Sequence, residues 1–180
     1  MPLDIPEHWG AFLRDLDREL ARPVELHCLG GFVVTMLYGL TRPTADIDVL
    51  VVRPQIDLNP LAGIGSFLHK KHGLYVQRVT VLEAYPENYE ERLTELFPGA
   101  LRRLRLFALD PYDLALTKLR RNSQRDREDV LYLANAVPFD IGTLRDRYQE
   151  MRPCLGNPER EDLTLKLWIE AIEEKRKGNS

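Results

Sequence analysis

The sequence predicts an α/β fold in which a small mixed sheet is flanked by helices and followed by a C-terminal helical segment. Three observations carry that expectation. From residue 24 to residue 82, short apolar runs of strand character alternate with runs of helical character, in the order strand, helix, strand, helix, strand. Beyond residue 110 the pattern is helical to the end, interrupted at Pro138 and over 153–158. The composition, 44% hydrophobic and 29% charged over 180 residues, is that of a chain able to bury a sizeable core. We expect an α/β domain over 1–135 and a helical segment over 136–180 packed on it.

Each element has a local reason. Over 5–20, Trp9, Phe12, Leu13, Leu16 and Leu20 recur at three- and four-residue steps, one face of a helix that ends near Arg22-Pro23. Residues 24–29 are short and apolar and run into Gly30-Gly31, as a buried strand entering a tight turn does, and 32–40 reads as a short buried helix. A second strand over 46–52 stops at Arg53-Pro54. A helix over 61–72 places Leu61, Ile64 and Leu68 on one side, and 74–82, rich in Val, Tyr and Thr, is the third strand. A short helix is expected over 87–97 and a fourth strand over 101–109, with Leu101, Arg103, Arg105 and Phe107 on one side and Leu104 and Leu106 on the other. Asp110-Pro111-Tyr112-Asp113 is a strong helix start: a capping Asp, Pro in first position and an acid in third. Helices over 125–136, 141–151 and 159–175 follow, and 175–180 is expected to fray.

Composition also excludes functions. With 25 Lys+Arg against 28 Asp+Glu the formal charge is −3, which rules out bulk attraction to nucleic acid but not a local basic patch. Two cysteines, Cys28 and Cys154, make neither a disulfide framework nor a C-x-x-C site and are expected as free thiols. The first residues lack the basic start and apolar core of a signal peptide, and no run approaches the ~18 apolar residues of a membrane helix, so the expected location is cytoplasmic, with no membrane partner.

Among residues able to carry chemistry, Asp46-Ile47-Asp48 comes first. Alternation along a strand sends Asp46 and Asp48 to one face and Ile47 to the other, and paired carboxylates suit a hard divalent cation such as Mg²⁺. A solvated strand end is the alternative. Gly30-Gly31 lets backbone approach a ligand closely at the start of a helix, or else is a packing turn. Lys118 lies beside an apolar stripe of Tyr112, Ala115, Leu116 and Leu119, where a snorkelling lysine is equally expected. Asp126 and Asp129 share a helix face, with Arg125 and Asp129 spaced as an i,i+4 pair. His69 and His72 lack the spacing of a metal-binding pair, and His27, in an apolar strand, reads as a core histidine. Arg102, Arg103, Arg105, Lys118, Arg120, Arg121, Arg125 and Arg127 form a basic cluster that would hold an NTP or an RNA backbone, unless neighbouring acids balance it. A stripe of Leu163, Leu167, Trp168, Ala171 and Ile172 on the last helix is expected to pack into the core.

Gly30-Gly31 followed after fourteen residues by Asp46-Ile47-Asp48 resembles the signature of the DNA-polymerase-β-type nucleotidyltransferases. The phrase Arg42-Pro43-Thr44-Ala45-Asp46-Ile47-Asp48 resembles more closely the DUF6036 group, which is similar to the AbiEii-type toxins of toxin-antitoxin systems. A second resemblance lies in Asp113 to Leu119 and in Arg125 to Val130, where AbiEii-like proteins carry a lysine helix and then an R-x-K-D-x-x-D helix. This chain departs in having Arg121 where the pattern has alanine.

What the resemblance implies is a nucleotidyltransferase fold and a Mg²⁺-dependent transfer of a nucleoside monophosphate from an NTP to RNA or protein, in a toxin with an antitoxin partner. Asp46 and Asp48 would hold the metal, Gly30, Gly31, Thr44 and Lys118 the nucleotide, and Asp46, Asp48, Lys118 and Asp126 the chemistry. Many such enzymes place a third carboxylate on a later strand, but 74–82 contains no acid; Gln77 and Thr80 are the polar candidates there and Glu83 lies just beyond. Asp126 is then the substitute from a helix, and an inert binding or regulatory module is the competing expectation.

Overall fold

The computed structural model describes residues 4–79 and 85–178, so Thr80 and Glu83 lie outside the described residues. The chain divides into two compact units, one comprising 1–80 and 93–109, the other 81–92 and 110–180.

The first unit opens with α1 (Glu7–Glu19), whose Trp9, Phe12, Leu13 and Leu16 are fully buried, as their spacing predicts. Its Asp17 also turns inward, where its carboxylate accepts backbone N–H bonds from Arg102, Arg103 and Leu104 at 3.2, 2.7 and 2.8 Å. That triple acceptance anchors the start of a distant strand, and it lowers the Asp17 carboxyl pKa although burial opposes it. β1 (Val24–Leu29) has the predicted bounds, α2 (Gly30–Met36) begins on the glycines themselves and ends early, and β2 (Asp46–Arg53) follows.

The single helix expected over 61–72 is two: α3 (Asn59–Ala62) and α4 (Phe67–His72). The first ends where Gly63 turns extended, and the Ser66 hydroxyl, accepting from His69 N at 3.1 Å, starts the second. β3 (Tyr75–Arg78) lies within the third expected strand. The helix expected over 87–97 is corrected to a single 3₁₀ turn, Tyr89–Arg92, followed by β4 (Thr94–Leu96), because these last residues pair with β5 (Leu104–Ala108). A strand partner outweighs the weak local preference for helix.

The five strands lie in the order β3-β2-β1-β5-β4. β1 runs antiparallel to β2 and parallel to β5, β3 runs parallel to β2, and β4 closes the other edge antiparallel. One face is apolar: Leu26, Cys28, Ile47, Val49 and Leu106 are buried there. Trp9 packs edge-on to Phe32 at 4.9 Å, and Asp15 ties α1 to α4 through Lys71 at 2.7 Å and His72 at 2.8 Å.

In the second unit, Asp110 caps α5 (Pro111–Leu116) as predicted, accepting from Asp113 N at 2.8 Å. α6 (Gln124–Ala136) begins with a reciprocal capping box between Ser123 and Asp126, and Asp140 caps α7 (Ile141–Met151). The chain then runs through α8 (Pro158–Gly178). Leu116, Leu119, Val130, Leu144, Tyr148 and Trp168 belong to its core. The predicted stripe on α8 needs correction: Leu165, Trp168, Ile169 and Ile172 are buried, whereas Leu163 and Leu167 are 57% and 52% exposed. The buried face is rotated by about 100°, one residue's step around the helix, because residues three and four apart from Trp168 satisfy the helical period equally well on either side.

Candidate active site

The sheet's polar face carries the first group of predicted residues. Asp46 and Asp48 sit half-buried at the start of β2, with Ile47 between them fully buried on the opposite face. Leu29, at the end of β1, is the register partner of Asp48, which brings the glycine turn directly alongside that aspartate. Gly30 has φ +73°, and a Cβ there would collide with Asp48 Oδ2 and lie 3.1 Å from its carboxyl carbon. Only glycine meets both the backbone conformation and that close approach. Gly31 is less constrained, since its Cβ would meet Thr44 Oγ1 at 3.7 Å, an ordinary contact. Thr44 in turn donates its hydroxyl hydrogen to Asp46 Oδ1 at 2.8 Å. The sequence-predicted Gly30, Gly31, Thr44, Asp46 and Asp48 thus form one constellation.

The neighbouring strand completes this face. Parallel pairing sets Tyr75 beside Asp46 and Gln77 beside Asp48. Burial raises the Tyr75 phenol pKa, and the charges of Asp46 and Asp48 add to it. Burial likewise raises the Cys28 thiol, with Asp48 contributing. Cys28 is buried and Cys154 exposed, and neither is bridged. Among the described residues, no group of three or more His, Cys, Asp or Glu is arranged to hold a metal ion. Two half-exposed carboxylates nevertheless fit Mg²⁺, which takes oxygen donors and commonly keeps waters and substrate phosphates in its remaining positions.

Lys118 and Asp126 meet in the second unit. Lys118 is only 4% exposed, and its Nζ donates to Asp129 Oδ2 at 2.9 Å and to Asp126 Oδ1 at 3.4 Å. Asp126, with no exposed surface, also accepts from Arg121 Nε and Nη2, at 2.8 and 2.6 Å, and from the Ser123 hydroxyl at 2.7 Å. Burial works against its charge, but Arg121, Ser123 and Lys118 together hold the carboxyl far below the usual carboxylate range. Arg121, which departs from the AbiEii-like pattern, is thus the largest favourable partner of Asp126.

The basic cluster is compensated at several members. Arg105 pairs with Glu95 and Glu25 at 3.0 Å each, and Arg103 donates to the Leu20 carbonyl at 2.7 Å. His27 is buried against Phe107, and His69 accepts from Gly65 N through Nδ1 at 3.0 Å.

Sequence reasoning missed the place of Tyr75 beside Asp46. The two-residue period of β3 shows that Tyr75 and Gln77 share a face, but the register with β2 is a long-range fact. It also missed a buried cluster in the second unit, where Asp113 is held by Arg92 at 2.9 Å and Arg147 at 3.1 Å, with Arg147 also reaching Asp110 at 2.6 Å. A helix-start carboxylate fully buried in this way raises its own pKa by desolvation.

A protein-family model described as a nucleotidyltransferase of unknown function, DUF6036, matches residues 12–177. No curated protein and no solved structure matches the chain. Among the described residues no helix is long and apolar enough to cross a membrane.

Proposed function

We propose, for a chain that belongs to the DUF6036 family of nucleotidyltransferases of unknown function, a Mg²⁺-dependent transfer of a nucleoside monophosphate from an NTP to an acceptor hydroxyl on RNA or protein. The observation that carries this reading is the approach of Gly30 to Asp48, with Thr44 on Asp46, at one end of the sheet. A turn position, Gly30, that tolerates no side chain beside two half-exposed carboxylates is costly as mere packing and useful as a phosphate and metal site.

Asp46 and Asp48 would hold the ion, and the Thr44 hydroxyl, by occupying Asp46 Oδ1, orients that carboxylate. When bound, Mg²⁺ supplies positive charge to the triphosphate oxygens. Gly30 and Gly31 let main chain approach the phosphates without a Cβ in the way. The acceptor hydroxyl would attack the α-phosphorus, its proton passing to solvent as the α–β phosphoanhydride bond breaks and pyrophosphate leaves, so the protein's contribution is positioning and charge neutralisation. Lys118 and Asp126 enter the proposal through the resemblance to AbiEii-like proteins alone, as does a toxin role with an antitoxin partner.

Gln77 favours a second reading. It stands beside Asp48 in the register, and a neutral amide there supplies no third acid, as an inert nucleotide-binding or regulatory module would also show. Calorimetric titration of each NTP, with Mg²⁺ and with chelator, into wild type and Asp46→Asn/Asp48→Asn separates the two. Mg²⁺-dependent binding that vanishes in the variant, followed by transfer of α-labelled NMP to RNA or protein, is the expected result. Binding without transfer supports the inert module, and silence from every NTP overturns the nucleotide site.

A further inference from the structure

We infer that Tyr75 is the stacking platform for the nucleoside of an NTP held at Asp46 and Asp48, so that this site selects nucleotides over bare polyphosphates and does so with little preference among bases. The inference rests on the reading of Asp46 and Asp48 as the metal and triphosphate site.

Position comes first. β3 is an edge strand, Tyr75 is the parallel register partner of Asp46, and partners in adjacent strands, about 4.8 Å apart, project to the same face. On the other side of β2, the end of β1 passes into the Gly30 turn, which closes on Asp48. A nucleoside extending from a triphosphate at the carboxylates therefore meets β3 as the sheet edge beside it, and the first side chain there is an aromatic ring.

Rigidity is the second argument. Tyr75 packs edge-to-face with His69 at 5.4 Å and 85°, and His69 is itself fixed, its Nδ1 accepting from Gly65 N and its own N–H bound to the Ser66 hydroxyl. The ring is half-buried, so it is held in place while part of it is open to solvent. A preoriented tyrosine loses little side-chain freedom on binding and offers a π-face that any base can use. Every base has such a face, which is why stacking tolerates sequence.

The test uses the full chain in Mg²⁺ and compares calorimetric titrations of ATP, GTP, CTP and UTP with that of inorganic tripolyphosphate. For Tyr75→Ala the expected result is NTP binding weakened by roughly 10-fold or more, comparably for the four bases, with tripolyphosphate binding unchanged and Tyr75→Phe restoring wild-type affinity. Tyr75→Leu, which keeps apolar bulk against His69 but has no π-face, gives the same answer if the alanine variant unfolds. NTP binding unchanged in the leucine variant overturns the stacking role and leaves the carboxylate site intact. So does equal weakening of NTP and tripolyphosphate in a variant whose circular dichroism matches wild type. No Mg²⁺-dependent binding of either ligand to wild type overturns both the platform and the site on which it rests.

Discussion

Two pairs of aspartates, Asp46 with Asp48 and Asp126 with Asp129, are built from the same residue type at nearly the same spacing, yet they occupy opposite electrostatic conditions. Asp126 and Asp129 are buried with Lys118 between them, and Arg121 and Ser123 take up the rest of Asp126. Asp46 and Asp48 are half-exposed at a strand start, with a threonine hydroxyl on one and glycine backbone against the other. At Asp126 and Asp129 the protein's own cations compensate the carboxylates inside the helical unit. Asp46 and Asp48 lie instead where water can reach them. A carboxylate's chemical use is decided less by its identity than by which groups arrive to neutralise it.

Removing the cation from one pair and the charges from the other gives the sharpest test of that contrast. Lys118→Met leaves two buried carboxylates with one cation fewer, and breaking a buried pair in this way costs roughly 3–5 kcal/mol. Asp46→Asn/Asp48→Asn, at a half-exposed site, is expected to change stability by less than about 1 kcal/mol while abolishing Mg²⁺-dependent NTP binding. Urea denaturation measures the first quantity and calorimetry the second. A neutral Lys118→Met, or an unfolded aspartate double variant, would reverse the comparison.

Within the carboxylate site, the two glycines differ as the two pairs do. Gly30→Ala combines a left-handed backbone, worth about 1–2 kcal/mol for an L side chain, with a collision at Asp48, and is expected to lose both stability and metal-dependent binding. Gly31→Ala meets only an ordinary contact with Thr44 and is expected to stay within about 1 kcal/mol of wild type. Thermal melts of the two variants, side by side, check the ordering.

A further effect is expected in acid. Asp126 has a folded-state pKa depressed below its unfolded value, so its stabilisation is complete above the ordinary carboxylate pKa of ~4 and is lost as pH falls through the depressed value. Asp15, held at about 2 by Lys71 and His72, behaves in the same sense. Stability is therefore expected to fall between about pH 4 and pH 2, and the Asp126→Asn variant, less stable at neutral pH, to lose less over that window. Urea midpoints measured across it follow the change; an identical slope in wild type and variant would remove Asp126 as its source.

Much of this was legible one segment at a time. Strand alternation separated Asp46 and Asp48 from Ile47, the Asp110-Pro111 start placed α5, and 24–29 and 141–151 were read at their observed bounds, because caps and periodicity are written within a few residues. Where a partner far along the chain decided the outcome, local reading failed. Residues 94–96 became a strand because β5 was there to pair with them, and Leu163 and Leu167 turned outward because α8 presents Leu165 and Trp168 to its core.

The division follows from the range of the forces involved. Residue type, helical period, turn chemistry and the D-x-D spacing are short-range properties, so the sequence by itself determined an α/β chain with a glycine turn and a carboxylate pair. Tertiary structure alone decided that Gly30 closes on Asp48, that Tyr75 stands beside Asp46, and that Lys118 is shared by Asp126 and Asp129. Those facts depend on strand register and on desolvation, and both are set by groups brought together only when the chain folds.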